Sequence, residues 1–130
     1  MDFTKDYGSL DPKTHAQCFE HEGSKFLIAP SNNVAFKNKT LEMFNMNEIQ
    51  SNGLESMTAA KIVHIESQIK AHTILLDWEN VSNDGKPLKY SIEVATTMLT
   101  NYEKFRTWVD QTSLKLQSDI TENNDSKKKS

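Results

Sequence analysis

The sequence predicts a mostly α, small single-domain helical fold with a short N-terminal β element and room for one short hairpin. Three observations carry that expectation. Met57, Ile62, Ile65, Ile69 and Leu76 recur at steps near three, four and seven, which lays an apolar stripe along one long helix. Asn83-Asp84-Gly85 tolerates positive φ, and Pro87 forbids a helix running through it, so the apolar segments on either side are separate elements. The chain has 130 residues, 36% of them hydrophobic, which suits one domain with a modest core.

In chain order, residues 1–22 mix Asp, Lys, His, Gly and Pro with isolated apolars such as Phe3, Tyr7 and Phe19, and are expected to form a flexible arm. Gly23-Ser24 opens KFLIA, a short strand ended by Pro30. Ser31-Asn32-Asn33 then offers caps for a helix from about Asn33 to Asn45, with Val34, Phe36, Leu41 and Phe44 at roughly helical spacing. The stretch 45–53 is polar and turn-like, although Met46 and Ile49 could extend that helix.

Asn52-Gly53-Leu54-Glu55 reads as the cap of the long helix, with an acid placed where the helix dipole favours it. Ile74, Leu75 and Trp78 widen the apolar face near its end. A hairpin joining 79–81 to 88–90 is compatible with the turn between them. Ser91 caps the next helix, Glu93 lies in its first turn, and Val94, Ala95, Met98 and Leu99 form its buried side. A last helix from about Tyr102 carries Phe105, Trp108, Val109 and Leu116. Residues 118–130 hold almost no apolar side chains and are expected to be disordered, which leaves 23–117 as the helical domain.

Composition excludes several function classes. No stretch reaches the roughly 18 consecutive apolar residues of a membrane-spanning helix. The opening MDFTKDYGSL lacks the basic and apolar regions of a secretory signal. Cys18 is the single cysteine, so no internal disulfide forms, in keeping with a reducing cytoplasm. The net charge is −3 and Arg106 is the sole arginine, an arrangement unsuited to neutralising phosphates, so nucleic acid is not expected as a partner.

Candidate chemical sites are few. His15, Cys18 and His21 are all metal-ligand types, but zinc wants a fourth ligand and no second Cys/His element follows. Asp77, Glu79, Asp84 and Gly85 do not fit the register of a calcium loop. His64 and His72 stand eight apart, where a helical zinc pair needs four. Cys18 has no neighbouring base to activate it. No nucleophile elbow, phosphate loop or dinucleotide fingerprint occurs. The expectation is therefore a protein that is not an enzyme, with no cofactor and no metal. Contact is left to the aromatics: Trp78, Tyr90, Phe105 and Trp108, with Val109, are the candidate packed or partner-facing patch, since large aromatics supply both cores and interface hot spots.

Two segments together resemble the tail assembly chaperone family of long-tailed (siphovirus-like) bacteriophages. The first is GSKFLIAPSNNVAFKNKTLEMF (Gly23–Phe44), a strand leading into an Asn-x-x-Phe helix. The second is AHTILLDWENVSNDGKPLKYSIEVATTMLTNYEKFRTWV (Ala71–Val109). Pro30 stands where relatives often carry an arginine. The resemblance implies a chaperone in the bacterial host cytoplasm that binds the tape measure protein, helps recruit tail tube subunits and is absent from the mature virion. It leaves a homo-oligomer open. The rival expectation is a head-tail joining or tail-completion protein retained in the virion. Such chaperones are often extended by a frameshift, and Lys127-Lys128-Lys129 would suit an A-rich slippery run. Coding DNA without such a run, or without an overlapping frame, would sink that idea.

Overall fold

The computed structural model describes residues 15–46 and 58–129. Among them, strands β1 (Gln17–His21) and β2 (Ser24–Ile28) lead into helix α1 (Val34–Met46). Helix α2 (Ala59–Thr73) runs directly into strand β3 (Leu75–Glu79). Two-residue strands β4 (Ser82–Asn83) and β5 (Lys86–Pro87) follow, then α3 (Ile92–Asn101) and α4 (Glu103–Lys129). The strands form two antiparallel sheets, one ordered β1-β2-β3 and one a β4-β5 ribbon. The molecule is therefore a mixed α/β fold, which corrects the mostly α expectation.

Two sequence features hid the sheet. The first is β3. Leu75 and Trp78 are both buried although they stand three residues apart, a spacing that imitates a helix face. In a regular strand they would point to opposite faces. The β2–β3 register steps from Leu27↔Asp77 to Ile28↔Leu75, so Leu76 is an extra, bulged residue that turns both side chains inward. The expected long helix accordingly stops at Thr73, where Ile74 leaves helical geometry while its amide still donates to the Lys70 carbonyl (2.8 Å). The second feature is β1. QCFEH has one aromatic and no run of β-branched residues, yet it pairs in full with β2 across a turn at Glu22-Gly23. Both turn residues have positive φ (50° and 83°), as a tight two-residue hairpin requires. Asp84-Gly85 repeats that geometry (53° and 76°) in the β4–β5 ribbon. The strand expected from Gly23 is thus β2, and residues 17–21, expected within the flexible arm, are its partner.

Helix α2 is the central helix. Its cap is Thr58, whose hydroxyl accepts from the Lys61 amide (3.2 Å); the cap expected at 52–55 and the stripe residue Met57 lie outside the described residues, as do Ile49 and residues 1–14. Ile62, Ile65 and Ile69 pack against Phe36, Met43 and Phe44 of α1. Ala71 joins Ala95 and Leu99 of α3 in the main core, and His64 lies beside Thr100. The apolar stripe marks only the α1 side, whereas the other side is built of small residues such as Ser67 and Ala71, both buried. The main core also gathers Phe26, Ile28, Ile74, Leu75, Trp78 and Val109, with helices on one face of the sheet. The outer sheet face carries Cys18, Glu20, Lys25, Asp77 and Glu79, all exposed.

Asn33 locks these layers together. Fully buried, it caps α1 by accepting from the Phe36 amide (2.8 Å) and donates to the carbonyls of Pro30 (2.8 Å) and Thr73 (2.9 Å). Ser113 of α4 donates to the Ala29 carbonyl (2.7 Å), tying the last helix to the end of β2. Helix α4 continues to Lys129, through the tail where the sequence suggested disorder; Leu116 is its last buried apolar residue among those described.

Candidate functional site

A surface groove of about 880 Å³ lies between the hairpin ends and the α3–α4 corner. Phe26, Phe105 and Trp108 form its floor, Met98 and Tyr102 one wall, and His21 with Asn80–Asn83 the other. Each wall has a local cause. Phe105 and Trp108 sit one turn apart on α4, so their rings share a face, 6.3 Å apart and 21° from parallel. Phe26 meets both from β2 with centroids at 5.3 Å. His21, on the inner face of β1, lies flat on Trp108 at 4.3 Å.

The corner is fixed by the lone arginine. Arg106 Nη1 donates to the carbonyls of Leu99 (2.8 Å) and Thr100 (3.2 Å), a cation closing the negative end of α3. On the opposite wall, Ser24 Oγ donates to the Asn80 carbonyl (2.6 Å) and Asn80 Nδ2 to the Gly23 carbonyl (2.9 Å). Asn80 takes a positive φ of 59° to make that stitch. Tyr102 keeps half of its surface exposed at the mouth. The groove thus offers aromatic faces with a polar rim, chemistry suited to holding an apolar segment by contact.

The structure divides the five expected contact residues. Phe105 and Trp108 line the groove. Val109 and Trp78 are core: Val109 is wholly buried, and Trp78 is buried with its indole N–H donating to the Leu88 carbonyl (2.8 Å). Tyr90 stands edge-on to Trp78 at 5.1 Å, and its hydroxyl donates to the Leu75 carbonyl (2.7 Å) with the Ala71 carbonyl at 3.2 Å. Burial, reinforced by the negative charge of Asp77, pushes the Tyr90 phenol up to about 12. Trp78 and Tyr90 line a separate depression under the β4–β5 ribbon. His21 and Tyr102 complete the groove and were not legible as contact residues, since His21 reaches Trp108 only through a hairpin the sequence concealed.

The remaining candidates are dispersed. Cys18 is on the outer sheet face and His21 on the inner one, so alternation along β1 separates them. Among the described residues, no group of three or more His, Cys, Asp or Glu side chains is placed to hold a metal ion. Asp77 and Glu79 project from β3 while Asp84-Gly85 forms the ribbon turn. His64 and His72 stay exposed on α2; partial burial and then the nearby Lys39 lower the pKa of His72, with Glu42 opposing. No described helix is long and apolar enough to cross a membrane.

A family model described as YdaY prophage protein matches residues 31–129. The comparisons with curated proteins and with solved structures give no match. The matched span includes α1, α2, β3, the ribbon, α3 and α4, and hence the Phe105–Trp108 side of the groove. Of the expected kinship, the match supports a phage-derived protein and does not reach as far as the tail assembly chaperone family. This chain belongs to the YdaY prophage protein family.

Proposed function

We propose that the chain is a non-enzymatic tail assembly chaperone, active in the bacterial host cytoplasm, that holds the tape measure protein and helps recruit tail tube subunits. The observation that carries this reading is the open aromatic groove at Phe105, Trp108, His21 and Tyr102. Long helical proteins awaiting assembly expose apolar seams, and a groove of aromatic faces with a polar rim covers such a seam without chemistry. Membership of a prophage family supports the setting.

Co-expression with the tape measure protein encoded nearby, followed by affinity capture, tests the binding. A search for the chain in purified particles tests the chaperone role. Co-capture together with absence from particles is the expected outcome. Presence in mature particles would replace the chaperone with a head-tail joining or tail-completion protein.

A further inference from the structure

The two edges of the three-stranded sheet are finished differently. The outer edge of β3 is closed by the chain's own side chains. The Trp78 amide donates to Asp77 Oδ1 (2.8 Å), and the Leu75 carbonyl accepts from the Tyr90 hydroxyl (2.7 Å). At the other edge, β1 is the last strand in the sheet order, and among the described residues no strand pairs with its outer side. Strand edges are commonly blunted by Lys, Pro or a bulge. QCFEH has no Lys, Pro or bulge, carries a single formal charge in Glu20, and keeps an unbroken register with β2.

The hairpin sets which groups that edge presents. With a two-residue turn, His21 and Ser24 form the first hydrogen-bonded pair, so His21, Phe19 and Gln17 spend their backbone groups on β2. Cys18 and Glu20 therefore direct their amide and carbonyl groups outward. An incoming antiparallel strand must bond these two residues.

We propose that a second copy of this chain pairs with β1, antiparallel and centred on Phe19, joining two three-stranded sheets into one of six. The sequence of the strand selects that register. Centred on Phe19, all five residues pair: Cys18 of each copy faces Glu20 of the other, Gln17 faces His21, and the two Phe19 rings meet on the inner face. A shift that centres the pair on Glu20 sets two carboxylates opposite one another, which repel. A shift that centres it on Cys18 sets Phe19 against Gln17 and forfeits the aromatic pair. The dimer extends each core sideways from Phe19, which already packs against it.

Sedimentation of the full chain under reducing conditions tests this. The expected result is a concentration-dependent rise from 14.8 kDa to twice that mass. Cys18→Pro removes an outward amide without touching the ladder to β2, and should weaken association about tenfold or more at unchanged circular dichroism. Should Cys18→Pro disturb folding, charge variants decide: Cys18→Glu should abolish the dimer, and adding Glu20→Lys should restore it. Oxidised Glu20→Cys should yield a disulfide between position 18 of one copy and position 20 of the other, since the paired Cα atoms lie about 5.5 Å apart. A chain that stays monomeric at millimolar concentration overturns the proposal. So does a dimer indifferent to these variants, or a disulfide that maps Cys18 to Cys18.

Discussion

Asn33 commits all of its side-chain amide to neighbours: Oδ1 caps α1, and Nδ2 bridges the Pro30 and Thr73 carbonyls. Alanine there leaves a helix start uncapped and strips two buried carbonyls of a donor. Asn33→Ala should cost about 2–4 kcal/mol in urea unfolding. The polar run Ser31-Asn32-Asn33 was readable as a cap, but the bridge to Thr73 was not, because it joins residues 40 positions apart. Tyr90 carries a pH signature. Its phenol is held protonated to about 12 in the fold against 10.0 for the free side chain, so its stabilising contribution is full below pH 10 and lost as pH rises through 12. Tyr90→Phe should cost about 1 kcal/mol at neutral pH. The gap between it and the wild type should narrow above pH 10, measured as paired unfolding curves across that range. A gap constant to pH 12 would contradict the assignment.

Helix α3 was legible in the sequence because Ser91, Glu93 and the apolar side Val94, Ala95, Met98 and Leu99 all agree; the Ser91 hydroxyl accepts from the Val94 amide (3.0 Å) as a cap should. The Asp84-Gly85 turn was legible for the same reason: local chemistry and local geometry coincide. Strand β3 failed because the signal was nonlocal. Its bulge gives a strand the three-residue spacing of a helix, and only pairing with β2 reveals the extra residue. Deleting Leu76 should leave Leu75 and Trp78 two apart and make the ladder regular, so that variant should fold with melting lowered only modestly. Deleting Leu76 and Asp77 together should leave Leu75 and Trp78 adjacent, turn Trp78 outward and abolish cooperative melting. Similar melting of the two variants would contradict the bulge account. Strand β1 failed because an edge strand needs little apolar content once a central strand accepts it.

Across the whole molecule, the aromatics divide between holding the fold and offering a surface. Trp78→Ala should cost about 3–5 kcal/mol, since its ring is buried among Phe26, Tyr90 and the core, and thermal or chemical melting reads that loss. Tyr102, half exposed at the groove mouth, should be nearly neutral in the same melt. Trp108 lies between these extremes, stacked on His21 yet lining the groove. The sequence offered Trp78, Tyr90, Phe105, Trp108 and Val109 together as a packed or partner-facing patch, without separating core from surface among them. The hairpin then supplies the wall that makes a groove of Phe105 and Trp108. The Lys70–Asp110 ion pair at 2.9 Å links α2 to α4 with its carboxylate partly exposed, so it contributes little beside the aromatic packing.

Titration of the wild type, Tyr102→Ala and Trp108→Ala with the purified tape measure protein tests the central assignment most directly. The expected result is binding by the wild type and at least about tenfold weaker binding by each variant, equivalent to about 1.4 kcal/mol, while circular dichroism stays unchanged. Equal affinity for all three folded proteins would contradict the groove as the binding surface.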